Sequence, residues 1–259
     1  EAQQALQTVE ALYACNDKFI DAFSPTNKDS NRETIFAVRY KLGEKTNFYS
    51  NFTYNVSTFT KWYDLDGNKL GNVLNIGSGA MRYEYKLDFY RSFAAADTRR
   101  DATFLPFCGK DNDGELVPAG LVLRKFLGET DNGRVQYTND LPVYRYMDVA
   151  LMLAEIANEL NEPVEVERWI GRVRTRAYGD EAPAFTYTTH DAAEEAILAE
   201  RDAEFVAEGK RWYDVRRMLG GKYALELVGG NELKLVWPID AGVLSKDSKV
   251  KQNEGYVTE

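Results

Sequence analysis

Residues 191–219 read Asp191-Ala-Ala-Glu194-Glu-Ala-Ile197-Leu198-Ala-Glu200-Arg201-Asp202-Ala-Glu204-Phe205-Val-Ala-Glu208-Gly209-Lys210-Arg211-Trp212-Tyr-Asp214-Val-Arg216-Arg217-Met-Leu219. Asp191 followed by Glu194 has the form of a capping box, which predicts a helix start there. Strong helix formers then run to Glu208, and Gly209 suits the left-handed stop. A second short helix is predicted from about Lys210 to Leu219, ended by Gly220-Gly221. On the first helix Ile197, Leu198 and Phe205 share one face. Arg201 projects between them, and Asp202 and Glu208 flank them. Charges there must be paired or reach water, because an isolated buried charge is too costly. With Arg211, Arg216, Arg217 and Trp212 just beyond, the stretch reads as a catalytic acid cluster or as a salt-bridge and stacking corner locking two helices together. The corner is the preferred reading, since the planar arginine fork can bind a carboxylate and stack on Trp212 at once. A basic second helix also invites a DNA-binding reading. The net charge of −9 opposes it, because phosphate binding needs a concentrated positive surface.

The 259 residues suffice for a sizeable core, and the ordinary hydrophobic share reads as a soluble globular chain. The acidic balance argues against nucleic acid and anionic membrane surfaces as partners. Cys15 and Cys108 match no metal spacing and are either two thiols or one disulfide. A single histidine, His190, removes most metal sites and most nucleophile systems built on histidine. No metal and no cofactor are expected. No apolar run is long enough to span a bilayer. The chain starts with Glu rather than Met and shows no signal peptide, which reads as a processed or truncated start.

In order along the chain, apolar residues from Ala2 to Phe23 recur at helical spacing, which places Cys15 inside a helix. Thr34–Tyr40 reads as a strand. Residues 41–140 show no long period and are rich in Asn, Gly, Thr and aromatic residues. Long loops in a compact domain are often functional. Sugars present apolar C–H faces rimmed by hydroxyls, so a site for them pairs aromatic rings with polar side chains. That mixture singles out Tyr49, Asn51, Tyr54, Trp62, Tyr63 and Tyr83. Trp62 is expected to be exposed, because Lys61, Asp64 and Asp66 surround it. Asp64-Leu-Asp66-Gly67 and Asp111-Asn-Asp113-Gly114 begin like calcium loops and then lack the required glycine and glutamate, so they read as tight turns. Leu121–Phe126 reads as a strand. Tyr144–Leu160 and a helix from Pro163 to about Tyr178, stopped by Gly179, form one tetratricopeptide-type pair. Leu233–Trp237 reads as a strand closed by Pro238.

The segment Glu200-Arg201-x-x-Glu204-x-x-x-Glu208-Gly209-x-Arg211-Trp212-x-Asp214-x-x-Arg217 resembles the C-terminal signature of the SusD/RagB family, surface glycan-binding lipoproteins of Bacteroidetes. Further matches follow in family order: Asn31, Glu33, Ile35 and Phe36; Asp97-x-Arg99; Tyr144-Arg145-Tyr146-x-Asp148; Val173-Arg174-x-Arg176-Ala177; and Trp237-Pro238 with Gln252-Asn253. Asp240 and Glu254 stand where the family usually has proline. Family members are longer, so the chain resembles their C-terminal part, with the N-terminal repeats and lipid-anchored cysteine outside it.

The resemblance implies a mainly α fold with long irregular loops and a few short strands, and helix pairs of the tetratricopeptide type. It is expected as a single domain over 1–259. Its parts are 1–40 as helix plus strand entry, 41–140 as the loop-rich candidate ligand region, 141–219 as helical hairpins, and 220–259 as strand and tail. By the same resemblance the protein sits on the external face of the outer membrane and captures oligosaccharide for a SusC-type TonB-dependent porter, without chemistry. Membrane association would come only through the lipid anchor. A structural lid on the porter without glycan contacts is the alternative, and a glycoside hydrolase using paired carboxylates is the third reading. The charges of 191–219 then become a fold marker clamped against the preceding helix pair, and the ligand surface falls in the aromatic loops between Asn47 and Tyr90.

Overall fold

The computed structural model describes residues 1–256. They form two compact units, the first Glu1–Tyr187 and the second beginning at Thr188. The expected helical block 141–219 therefore divides between Tyr187 and Thr188.

In the first unit the N-terminal helix α1 covers only Ala2–Glu10. The apolar residues beyond it form a separate 3-10 turn at Phe19–Phe23. Cys15 thus lies between helices rather than inside one, and both cysteines are free. The break has a physical cause. Asn16 donates its side-chain amide to Asn31 at 2.9 Å and its backbone N–H to Glu33 at 3.2 Å, so the chain follows tertiary partners instead of its helical period.

Three antiparallel ribbons supply the strands: β1 (Thr34–Val38) with β6 (Leu141–Arg145), β2 (Phe104–Lys110) with β3 (Leu116–Leu123), and β4 (Glu129–Asp131) with β5 (Arg134–Gln136). Of the expected strand 121–126 only Leu121–Leu123 is strand, as the end of a longer one that starts at Leu116, and Lys125 and Phe126 lie in a turn. Tyr144 belongs to β6, opposite Phe36. The next helix, α2, accordingly runs Tyr146–Glu159, two residues later than its period suggests. The Asp148 carboxylate fixes its start by accepting from Arg145 N–H at 2.9 Å. Asn161, at φ +56, turns the chain. Helix α3 then occupies Pro163–Tyr178 with Pro163 in its first turn, and Gly179 ends it at φ +64. The tetratricopeptide-type pair stands as its sequence indicates.

A buried ion cluster ties these parts together. Arg145 reaches Glu33 Oε1 at 2.5 Å, and Arg176 of α3 reaches Glu33 Oε2 at 3.3 Å. Glu33 and Arg145 have no solvent exposure. Phe19 and Phe23 lie against the guanidiniums, with the Arg145 carbon 5.4 Å from the Phe23 centroid. Asp97 and Arg99 form a second buried pair, with Asp97 capping the short helix Thr98–Thr103.

The second unit corrects the reading of its first helix. Helix α4 is His190–Glu204, capped by Thr189, whose hydroxyl accepts from Ala192 N–H. Asp191 is not the cap. Glu194, the expected reaching carboxylate, instead accepts from Leu219 N–H at 2.9 Å. The helix stops at Glu204, before Glu208, because Ala207 and Gly209 both take left-handed φ. Helix α5 is Arg211–Arg217, and Leu219, Gly220 and Gly221 all have positive φ after it.

Leu233–Trp237 is not a strand. Asn231 caps a 3-10 turn at Glu232–Leu235, and no described strand lies beside it to pair with. Side chains from the tail take the place of a partner strand. The Gln252 amide donates to Ile239 C=O and accepts from Ile239 N–H, and Asn253 donates to Trp237 C=O. No helix among the described residues is long and apolar enough to cross a membrane.

Candidate functional site

The signature residues of the second unit form an ion-pair corner. Arg201 Nε lies 2.8 Å from Asp214 Oδ2, and Arg217 lies 2.8 Å from Asp214 Oδ1. Arg211 pairs with Asp202, Arg201 covers the Phe205 ring, and Arg216 lies 5.9 Å from the Trp212 ring. Glu200 and Glu204 are buried on the same helix, and Glu208 falls in the loop after it. These ion pairs join the helix that carries Arg201 and Asp202 to the one that carries Arg211, Asp214 and Arg217. His190, Asp191 and Glu194 could bring ligand atoms within 4.8 Å of one another. Glu194 is already held by Leu219 N–H.

Burial pushes the Asp202 carboxyl up to about 6, against a partial pull from Arg211. The folded protein therefore holds a proton that the unfolded chain releases between about pH 4 and 6. Stability contributed by this group rises as pH falls through 6 and levels off below 4. Asp202→Asn removes the titration. Its stability relative to the unchanged protein should improve by about 2 kcal/mol on going from pH 4.5 to pH 8. Urea unfolding at the two pH values measures this, and parallel pH profiles would contradict it.

The six aromatic and polar candidates of the first unit separate into core and surface. Tyr49 is buried, with its hydroxyl donating to Leu123 C=O and its ring edge-on to Phe126 and Tyr137. Burial pushes its phenol well above the usual value. Tyr54 is buried too, edge-on to Trp62 at 4.5 Å and to Phe107 at 5.3 Å. Neither ring has a face open to a ligand. Trp62, expected to be exposed, is half-buried and stacked on Phe107 at 4.0 Å. Strand alternation is the cause. Tyr63 bridges Cys108, as Lys69 bridges Tyr63, so Tyr63 faces one way and Trp62 the other, onto a core of Phe59, Leu70, Ile76, Phe107 and Val122. Tyr85, Phe89, Tyr90 and Phe93 gather around the fully buried Phe104 and are likewise packed inward. Asp64 and Asp111 each close a tight turn on their own backbone.

Tyr83 is different. It is 59% exposed and stacks on Phe52 at 5.0 Å and 27°. Phe52 stacks in turn on Tyr49 at 6.4 Å, and the exposed Phe48 lies beside it at 6.2 Å. An aromatic ladder thus rises from the core ring of Phe126 through Tyr49 and Phe52 to a ring in solvent. Its base is fixed by Asn47, which accepts from Tyr49 N–H and donates to Asn139 C=O.

Two loops hold the upper rungs. Residues 49–52 form a 3-10 turn, and the chain at 80–82 returns alongside it. Ala80, Met81 and Arg82 donate their N–H groups to Ser50, Thr53 and Asn51 carbonyls at 2.7–2.9 Å. Gly79 permits that approach, because a Cβ there would sit 2.1 Å from Thr53 O. Among the described residues the Asn51 carboxamide and the exposed Arg82 guanidinium have no side-chain partner. A stacked ring pair therefore stands beside one amide and one cation that are both available to hydroxyl groups. Phe48, Phe52 and Arg82 were not among the residues singled out from sequence. The dense aromatic spacing around residue 50 was the available signal for the two phenylalanines, and Arg82 carried none.

With fold and geometry in hand, the likenesses are specific. The chain matches the SusD family model over residues 20–232 and belongs to that family. SusD-like protein P38 of Formosa agariphila is 28% identical over 121 residues, 44% of this chain and 24% of that protein. A SusD superfamily protein from Bacteroides fragilis, known from a crystal structure, is 36% identical with TM-score 0.83, over 98% of this chain and 58% of that one. A surface glycan-binding protein A from Bacteroides thetaiotaomicron, in complex with laminarihexaose, has the same fold at 20% identity and TM-score 0.68, covering 97% of this chain and 59% of that one. The chain spans less than two thirds of the length of each of these.

Proposed function

We propose that the protein is a non-enzymatic capture subunit that holds an oligosaccharide nutrient at the external face of the outer membrane. In this reading it hands the sugar to a SusC-type TonB-dependent porter. The single observation that carries the reading is the exposed Phe52–Tyr83 stack beside the uncommitted Asn51 and Arg82 side chains. A sugar ring would lie its C–H face on Tyr83, and its hydroxyls would meet the carboxamide and the guanidinium. Such binding needs no acid–base pair. Family membership supports the reading, as does the laminarihexaose held by a protein of the same fold.

A glycan array probed with this chain tests it. Binding to at least one oligosaccharide series is expected, and Tyr83→Ala should abolish the signal. Tyr213→Ala, at an equally exposed ring in the second unit, should leave it unchanged. A Tyr83→Ala chain that keeps the full array pattern would remove the platform from the account.

A further inference from the structure

A second feature of the aromatic region has a different chemistry. Tyr63 sits where three short segments meet, bridged to Lys69 on one side and to Cys108 on the other. Directly opposed residues in such pairings share a face, and so do residues two apart. Lys69, Tyr63 and Lys110 therefore project from the same side. The side-chain positions agree. Lys69 Nζ donates to the Tyr63 hydroxyl at 2.8 Å and lies 4.0 Å from the ring centroid, and Lys110 Nζ lies 4.9 Å from the same centroid.

Both lysines are exposed, and among the described residues neither has a carboxylate partner. The Asp64 and Asp111 carboxylates are turned to N–H groups of their own turns instead of to the ammonium groups: Asp64 accepts from Asp66 and Asn68, and Asp111 accepts from Asp113 and Glu115. The positive field is strong enough to hold the Tyr63 phenol below its usual value, first through the Lys69 hydrogen bond. Two ammonium groups, neither of them in an ion pair among the described residues, lie against one phenol and can donate to an anion. Trp62, next to Tyr63 in the chain, and Met81, two residues before Tyr83, pack on the same small core, which includes Tyr54 and Phe107.

We propose that Lys69, Tyr63 and Lys110 form a subsite for the acidic substituent, carboxylate or sulfate ester, of a charged glycan. The inference rests on the capture reading above and narrows it to acidic saccharides. The anion accepts from both ammonium groups and from the Tyr63 hydroxyl, whose own acceptor side is held by Lys69. The Tyr63 ring walls the site and keeps the two lysines aimed.

Calorimetry at low ionic strength tests it with three probes: trigalacturonate, its methyl ester, and a sulfated carrageenan oligosaccharide. The acidic probes should bind at least tenfold more tightly than the neutral ester. The preference should weaken with added salt and vanish in the Lys69→Gln/Lys110→Gln chain, whose fold is checked by circular dichroism. The tighter of the two acidic probes identifies the source of the anion. Equal binding of acidic and neutral probes, or a preference that survives the double substitution, overturns the subsite and leaves the capture reading standing. Acidic binding lost in the double-lysine chain but indifferent to Tyr83→Ala upholds the subsite and removes the platform instead. No binding of any probe overturns the subsite.

Discussion

Glu33→Gln should lower the melting temperature of the Glu1–Tyr187 unit by about 10 °C, the largest effect expected of any single substitution outside the hydrophobic core. The change is nearly isosteric, so it leaves no cavity. It removes one negative charge from a site where Arg145 and Arg176 both pair with it and where Glu33 and Arg145 are wholly buried. Burying a charge is tolerable only while its counter-charge stays. Losing one partner of a buried pair costs about 3–5 kcal/mol, and a domain of this size loses roughly 2–4 °C per kcal/mol. Glu33 also accepts from Asn16 N–H, so the residue holds three segments at once. The exposed Glu165–Arg168 pair on α3 is the control. Arg168→Ala there, which also strips the guanidinium from the Trp169 ring 4.0 Å away, should change stability by only ~1 kcal/mol. A Glu33→Gln chain melting within about 2 °C of the unchanged protein would show that the cluster is not what joins these segments.

The second large effect falls in the other unit. Arg201→Ala removes a side chain that is 6% exposed and leaves Asp214, 4% exposed, with Arg217 as its remaining ion-pair partner at 2.8 Å. Arg217 is 44% exposed, so it screens the buried carboxylate poorly. The substitution also strips the guanidinium from the Phe205 ring. Together these should cost about 3 kcal/mol, read as an earlier urea midpoint for the transition of this unit. Any saccharide affinity of the folded fraction should be unchanged, because the proposed ligand residues all belong to the first unit. Binding lost while stability is retained would move the site into the corner and reverse the assignment.

The sequence made the helix pair legible because its signals are local. A 3.6-residue period, Pro163 at the start and Gly179 at the end define α3 without reference to anything else. The charge corner was legible for a related reason, since Arg201, Asp214 and Arg217 stand on adjacent short helices. Features set by distant partners were not legible. Leu233–Trp237 has strand composition, yet it becomes a turn because amide side chains of Gln252 and Asn253 occupy the position of a neighbouring strand. Trp62 has charged neighbours, yet pairing of Tyr63 with Cys108 turns it inward. Glu33, Arg145 and Arg176 each lie in a family motif, but only the tertiary fold brings residues more than a hundred positions apart into one cluster. The candidate site shows the same division. Aromatic abundance between Asn47 and Tyr90 pointed to the region. Which rings face water depended on a loop-to-loop contact that Gly79 permits, and that contact separates Tyr83 from Tyr49 and Tyr54.

The central claim is that an exposed aromatic stack captures a saccharide, and titration calorimetry with the array-selected oligosaccharide tests it most directly. The unchanged chain, Tyr83→Ala and Tyr54→Phe should be compared at one temperature and salt concentration. The account predicts that Tyr83→Ala weakens binding at least tenfold, about 1.4 kcal/mol or more, while Tyr54→Phe, at a ring enclosed by Trp62 and Phe107, leaves the affinity unchanged. Equal affinities for the unchanged and Tyr83→Ala chains, or loss confined to Tyr54→Phe, would contradict it.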